Sequence, residues 1–212
     1  MSAVDFYFDY SCPWSYLGYT RLKETVKRLG ANIEWRPVAV DQVVAHLNSE
    51  APFSRVPADP AKSAYHAADL EAWSDYVGVT VHKPEGWPHD AGLALQGAVI
   101  AAAEGKCQAY SDAVFSAYFG FGRDISDQAL LAELADSVDI DQSLFNAGLA
   151  DSKTVAVIEA NAQQLVARGG FGVPTMFVED RMFFGNDRMP LVEFELGQTS
   201  GKTFVMPGQH DG

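Results

Sequence analysis

The stretches of this chain able to form β-strands lie near its two ends, and the interval between about positions 40 and 150 carries none. This separation constrains the fold most. Strands need hydrogen-bonded neighbours, so the two ends must share one sheet and everything between them becomes an insert. Residues 3–9, AVDFYFD, are apolar, aromatic and short, which predicts a buried strand. Pro13 suits the first turn of a helix, where its missing N–H costs nothing. Tyr19, Leu22, Val26 and Leu29 follow at helical spacing with charged residues between them, and Gly30 is a C-terminal stop. Residues 32–37, NIEWRP, alternate as a second strand. Strand, helix and strand at this spacing form a βαβ unit with parallel strands.

The interval reads as helices near 60–77, 91–105, 107–119 and 127–137, with VHKPEGWPHD (81–90) as a loop because of its two prolines and glycine. Residues 154–170 predict a helix ending on a glycine pair. VPTMFVEDRMFFGNDR (173–188) predicts a strand, a tight turn at Glu179-Asp180 and a second strand. Asp187 then caps a last helix over about 188–196. The order is βαβ, helical insert, αββα. That is an α/β fold, thioredoxin-like, with an inserted all-helical domain. Residues 1–38 and 154–212 form the thioredoxin-like domain and residues 39–153 the insert.

With 212 residues, 48% of them hydrophobic, the chain can bury one sizeable core and a packed insert. Twenty-eight acids against fifteen bases leave a formal charge of −13, which repels phosphate backbones and anionic lipid. Nucleic-acid and membrane-surface roles are thereby disfavoured. MSAVDFYFDY has neither the basic nor the apolar region of a secretion signal, and the expected location is cytoplasmic. Two cysteines, Cys12 and Cys107, are too few for a disulfide framework. No metal site is expected.

Cys12 stands where strand gives way to helix, at the orphan N–H groups and positive end of the helix dipole. An anionic sulfur is stabilised in such a place. Either Cys12 is itself the thiolate, or it neighbours a second sulfur brought by a thiol ligand. The fourth position of the motif is Ser15, so a Cys-x-x-Cys pair able to resolve a mixed disulfide is missing. Val173-Pro174 opens a strand; a cis bond there would leave the Val173 backbone available to a bound peptide. Asn186 and Asp187 stand at a helix start, where Asp187 is a cap or an ammonium ligand.

VDFYFDYSCPWSYLG, KSAYHAADL (62–70), FGVPTMFV and FGNDR occur together and in order. The combination resembles the 2-hydroxychromene-2-carboxylate isomerases and kappa-class glutathione transferases of the DsbA-like thioredoxin superfamily. The resemblance implies glutathione as cofactor and a small aromatic carboxylate as substrate, isomerised through transient addition of the glutathione thiolate. It implies a homodimer as the assembly. It places Cys12 on the family's catalytic serine and Trp14 on an aromatic beside it. It gives Lys62 to the glycine carboxylate, Val173 to the cysteinyl backbone, Asn186 and Asp187 to the γ-glutamyl end, and Asn48 to a glutathione contact. Pro174 falls on the family's cis-proline. Tyr16, Tyr65 and Trp87 are candidate walls for the substrate. Cysteine in place of serine is the main departure, since an S–H is a weaker donor than an O–H. Two other readings stay open: a thiol–disulfide oxidoreductase or kappa-type transferase using Cys12, and a non-catalytic thioredoxin-like binding domain.

Overall fold

The structure is a computed structural model that describes residues 2–47 and 54–199. One four-stranded sheet holds β1 (Ala3–Phe8), β2 (Asn32–Pro37), β3 (Thr175–Val178) and β4 (Arg181–Phe184) in the order β2-β1-β3-β4. β1 and β2 are parallel, with Phe6 opposite Trp35, while β1–β3 and β3–β4 are antiparallel. The expected βαβ unit and the C-terminal hairpin thus share a sheet, with the hairpin turning at Glu179 in the left-handed region (φ 53°).

Alternation along β1 sorts its side chains to two faces. Val4, Phe6 and Phe8 enter a large core with Tyr19 and Leu22 of α1 (Pro13–Leu29), Tyr110 and Phe115 of α5 (Cys107–Phe115) and Val192 of α9 (Met189–Thr199). Tyr7 faces the other way, into a smaller core with Val43 of α2 (Val40–Leu47) and Leu165 of α8 (Ser152–Ala167). Cys12 belongs to this second core. Between β2 and α8 the chain adds α3 (Pro60–Val77), α4 (Gly92–Ala103), α6 (Gln128–Asp136) and α7 (Gln142–Ala150) as well. No helix among the described residues is long and apolar enough to cross a membrane.

Part of the acidic surplus starts helices. Asp59, Asp127, Asp141 and Asp151 each accept a first-turn amide, of Lys62, Ala129, Leu144 and Lys153, respectively. Each such cap is worth about 1 kcal/mol. Asp187 does not do this. It lies within a 3₁₀ turn, Asn186–Arg188, that precedes α9, and its carboxylate sits 3.6 Å from the Arg188 guanidinium without a capping bond. The turn bonds itself instead, Arg188 N–H donating to the Gly185 carbonyl at 3.3 Å. Helices α2 and α7 were not foreseen. α2 is short and opens on valines that strands favour equally, so its period is ambiguous. The stretch expected as one helix over 107–119 divides into α5 and a π-helical turn, Ser116–Gly120.

Candidate active site

The turn after β1 is held from every side. The Asp9 carboxylate is buried; Oδ1 accepts the Ser11 amide at 2.8 Å and the Ser11 hydroxyl at 2.6 Å, and Oδ2 accepts the Val40 amide at 3.0 Å. Arg55 donates to Ser11 Oγ at 2.8 Å and stands 3.6 Å from Asp9 and 3.4 Å from Asp41. On the far side the Trp87 indole N–H donates to the Ser11 carbonyl at 2.9 Å. The loop carrying Trp87 is tied to the π-helical turn, with His82 N–H donating to the Phe119 carbonyl and His89 N–H to the Tyr118 hydroxyl, at 2.8 and 2.9 Å. Its Trp87-Pro88 bond is cis. The Cys12 amide donates back to the Asp9 carbonyl at 3.1 Å, and Cys12 becomes the residue from which α1 starts.

Burial dominates the thiol's chemistry. Cys12 is buried in the cluster that also holds Tyr7, Val40, Val43 and Phe177, with its S–H toward the Val173 carbonyl at 3.7 Å. Desolvation pushes the thiol pKa up. The amide and hydroxyl of Ser15 and the charge of Arg55 pull it down without overcoming that, and Asp9 adds a further push upward. Of the two uses of sulfur that the sequence leaves open, the structure therefore favours a neutral Cys12. Cys107 is no resolving partner. It lies in the other core, 3.9 Å from Ser111 Oγ, where burial pushes it up to about 12, and both cysteines are free.

Two cavities adjoin in front of Cys12 and share Trp14, His66, Val173 and Phe184. The smaller, about 230 Å³, is mostly apolar and is also lined by Cys12, Arg55, Trp87 and Phe171. The larger, about 610 Å³, extends to Pro174, Asn186 and Asp187. The Val173-Pro174 bond is cis. β3 begins at Thr175, so Val173 lies outside the strand ladder. Gly18 lets α1 approach this turn, for a Cβ there would lie 3.2 Å from Pro174 Cγ. Asn186 is buried and pinned by Arg21, which donates to its carbonyl at 2.6 Å and to Oδ1 at 3.4 Å while stacking over Trp73. A further cavity of about 800 Å³ lies at the opposite end of the sheet, beside the acids Asp5, Glu34 and Glu179. It contains no thiol and none of the expected site residues.

Cys12 and Trp14 from one end of the chain, and Val173, Pro174, Asn186 and Asp187 from the two flanks of the C-terminal hairpin, therefore meet along one cleft. Trp87 lines its apolar end, and the exposed Tyr65 lines the other end. Tyr16 lines neither cavity; it stacks on Phe115 and Phe119 at 5.1 and 5.8 Å as part of the core. The helical register of α1 turns it away from the cleft. Lys62 is exposed at the start of α3 and lines neither cavity. Asn48 lies outside the described residues. Sequence reasoning missed His66, Arg55, Phe171 and Phe184. His66 had a weak signal, one helical turn after Lys62, and Arg55 had none.

A family model described as the DSBA-like thioredoxin domain matches residues 3–197. A 2-hydroxychromene-2-carboxylate isomerase of Sphingobium xenophagum is 31% identical over 90% of this chain and 95% of its own. One of Pseudomonas putida is 29% identical over 92% and 94%. A solved structure of a 2-hydroxychromene-2-carboxylate isomerase superposes with a TM-score of 0.82 at 28% identity, covering 93% of this chain and 95% of that one. The chain belongs to the DSBA-like thioredoxin domain family and, within it, to the group of the 2-hydroxychromene-2-carboxylate isomerases.

Proposed function

We propose that this protein is a glutathione-dependent isomerase that converts 2-hydroxychromene-2-carboxylate, or a related intermediate of aromatic degradation, to trans-o-hydroxybenzylidenepyruvate. The observation that carries this reading is the single cleft joining Cys12 and Val173 to Asn186 and Asp187, in a chain similar to proteins bearing that name. The residues suit a peptide thiol. Val173 offers backbone groups outside the ladder, Asn186 is fixed by Arg21, and Asp187 is not spent on a cap. Lys62, facing solvent on α3, is assigned to the glycine carboxylate.

When bound, glutathione supplies the nucleophilic sulfur. The chain supplies the place for it. The positive end of the α1 dipole favours negative charge beside Cys12, the residue from which the helix starts. Cys12 acts as a neutral S–H donor and not as the attacking group. Trp87, Phe171 and Phe184 form apolar walls for the aromatic ring, and Arg55 places a cation at the same end for its carboxylate. The working unit is a homodimer in the cytoplasm, a compartment that keeps thiols reduced. Sedimentation velocity checks the dimer.

The deciding assay follows the absorbance of 2-hydroxychromene-2-carboxylate with enzyme, with and without glutathione. The expected result is a spectral conversion that requires both, with Cys12→Ser as active as wild type or more so. No conversion with both present sinks the isomerase; equal conversion without any thiol sinks the role of glutathione. Complete loss in Cys12→Ser returns Cys12 to the part of nucleophile.

A further inference from the structure

The His66 imidazole stands where the two cavities meet and lines both. The Trp14 indole N–H donates to its Nε2 at 3.1 Å, the rings edge-on at 5.3 Å and 75°. An indole nitrogen can only donate, so Nε2 must present its lone pair. A neutral imidazole has one such nitrogen, and its hydrogen then sits on Nδ1. A second proton on Nε2 would set two N–H groups against each other. His66 is thus a poor general base, because its lone pair is taken, and a poor acid, because it resists the extra proton. What remains is a fixed neutral N–H donor. Among the described residues Nδ1 has no hydrogen-bond partner.

We propose that His66 is a catalytic residue whose Nδ1–H donates to the anion at the reacting end of the cleft, and that Trp14 is the positioning residue that keeps it neutral and in that tautomer. The identity of the anion, a thiolate or the phenolate freed by ring opening, rests on the isomerase reading; the tautomer does not. The surroundings agree. Burial first, and then Lys83 from the loop before Trp87, hold His66 below the usual imidazole range, while Asp69 on its own helix pushes the other way. Arg55 and Cys12 face the smaller cavity beside it, and Asp187 faces the larger.

Long-range ¹⁵N–¹H NMR of the histidine-labelled wild-type protein reads the tautomer directly. At pH 7 the expected spectrum has Nδ1 protonated and Nε2 bare, with a midpoint below the free value of about 6.5. Trp14→Phe should raise that midpoint and mix the tautomers. An Nε2-protonated ring in wild type, or a titration indifferent to Trp14→Phe, overturns the proposal. Glutathione alone should shift the Nδ1 proton downfield if the thiolate is the target, and trans-2-hydroxycinnamate should do so if it is the phenolate. No shift with either overturns the proposal. In turnover, His66→Leu should lower kcat by about 100-fold with little change in KM, as losing one preorganised donor does. His66→Asn, which keeps an N–H near Nδ1 without titrating, should stay within about tenfold of wild type. Equal losses in both variants overturn the assignment. Absence of any glutathione-dependent turnover in wild type defeats the isomerase reading alone, and the spectra still decide the tautomer.

Discussion

The reactivity of Cys12 separates a thiol that donates from a thiol that attacks. An ordinary cysteine, with a pKa near 8.5, is about 3% thiolate at pH 7. Cys12 stands above the ordinary value, since burial among Tyr7, Val40, Val43 and Phe177 outweighs the Ser15 and Arg55 contacts that favour the anion. Its thiolate fraction at pH 7 is therefore below about 3%, against roughly half or more for a thiol tuned to pH 7 or lower. The rate of alkylation by iodoacetamide should accordingly be more than about tenfold below that of such a tuned thiol. Log rate should climb with unit slope across pH 6 to 8 without levelling. The assay is a native-state time course at fixed reagent, quenched and read by mass spectrometry on the separated peptides. Cys107, pushed up to about 12, should lag behind Cys12. A rate for Cys12 that levels off below pH 7 would refute the reasoning. It would mean that the helix terminus wins over desolvation, and would revive the thiol–disulfide reading.

Three further outcomes follow from the same structure. Asn186→Ala and Asp187→Ala should each raise the KM for glutathione several-fold while leaving kcat nearly unchanged, because they bind a part of the cofactor remote from the reacting atoms; equal losses in kcat would count against that placement. Gly97→Ala would set a methyl 2.1 Å from the Tyr110 hydroxyl and 2.5 Å from Cζ, inside the core. It should cost about 1–3 kcal/mol in urea unfolding despite alanine's better helix propensity. Tyr110→Phe should recover part of that, since the Tyr110 hydroxyl has no partner to lose. Alkaline stability carries the sign of Cys107. Its folded pKa lies above its unfolded one, so its contribution is whole below about pH 8.5 and falls by about 1.4 kcal/mol per pH unit toward pH 12. Cys107→Ala should flatten that limb of the curve, and an unchanged slope would refute the assignment.

Much of the architecture was legible in the residues themselves. The short apolar, aromatic run of β1, the Cys12-Pro13 helix start, the alternation of NIEWRP and the strand, turn and strand after Pro174 are local patterns, read within a few positions of one another. The sheet followed from them, because four short strands at the two ends have only each other to bond. Tertiary structure decided what local pattern cannot carry. It brought Val173 from 161 positions away to the Cys12 sulfur, set His66 under the Trp14 indole, and backed the turn with Arg55 and Asp9. It turned Tyr16 into the core and freed Asp187 from capping. It also tipped Cys12 toward the neutral thiol, of the two states the sequence leaves open. A helix terminus is visible in sequence and favours the anion, but desolvation depends on which distant side chains close over the sulfur, and only the folded chain places them.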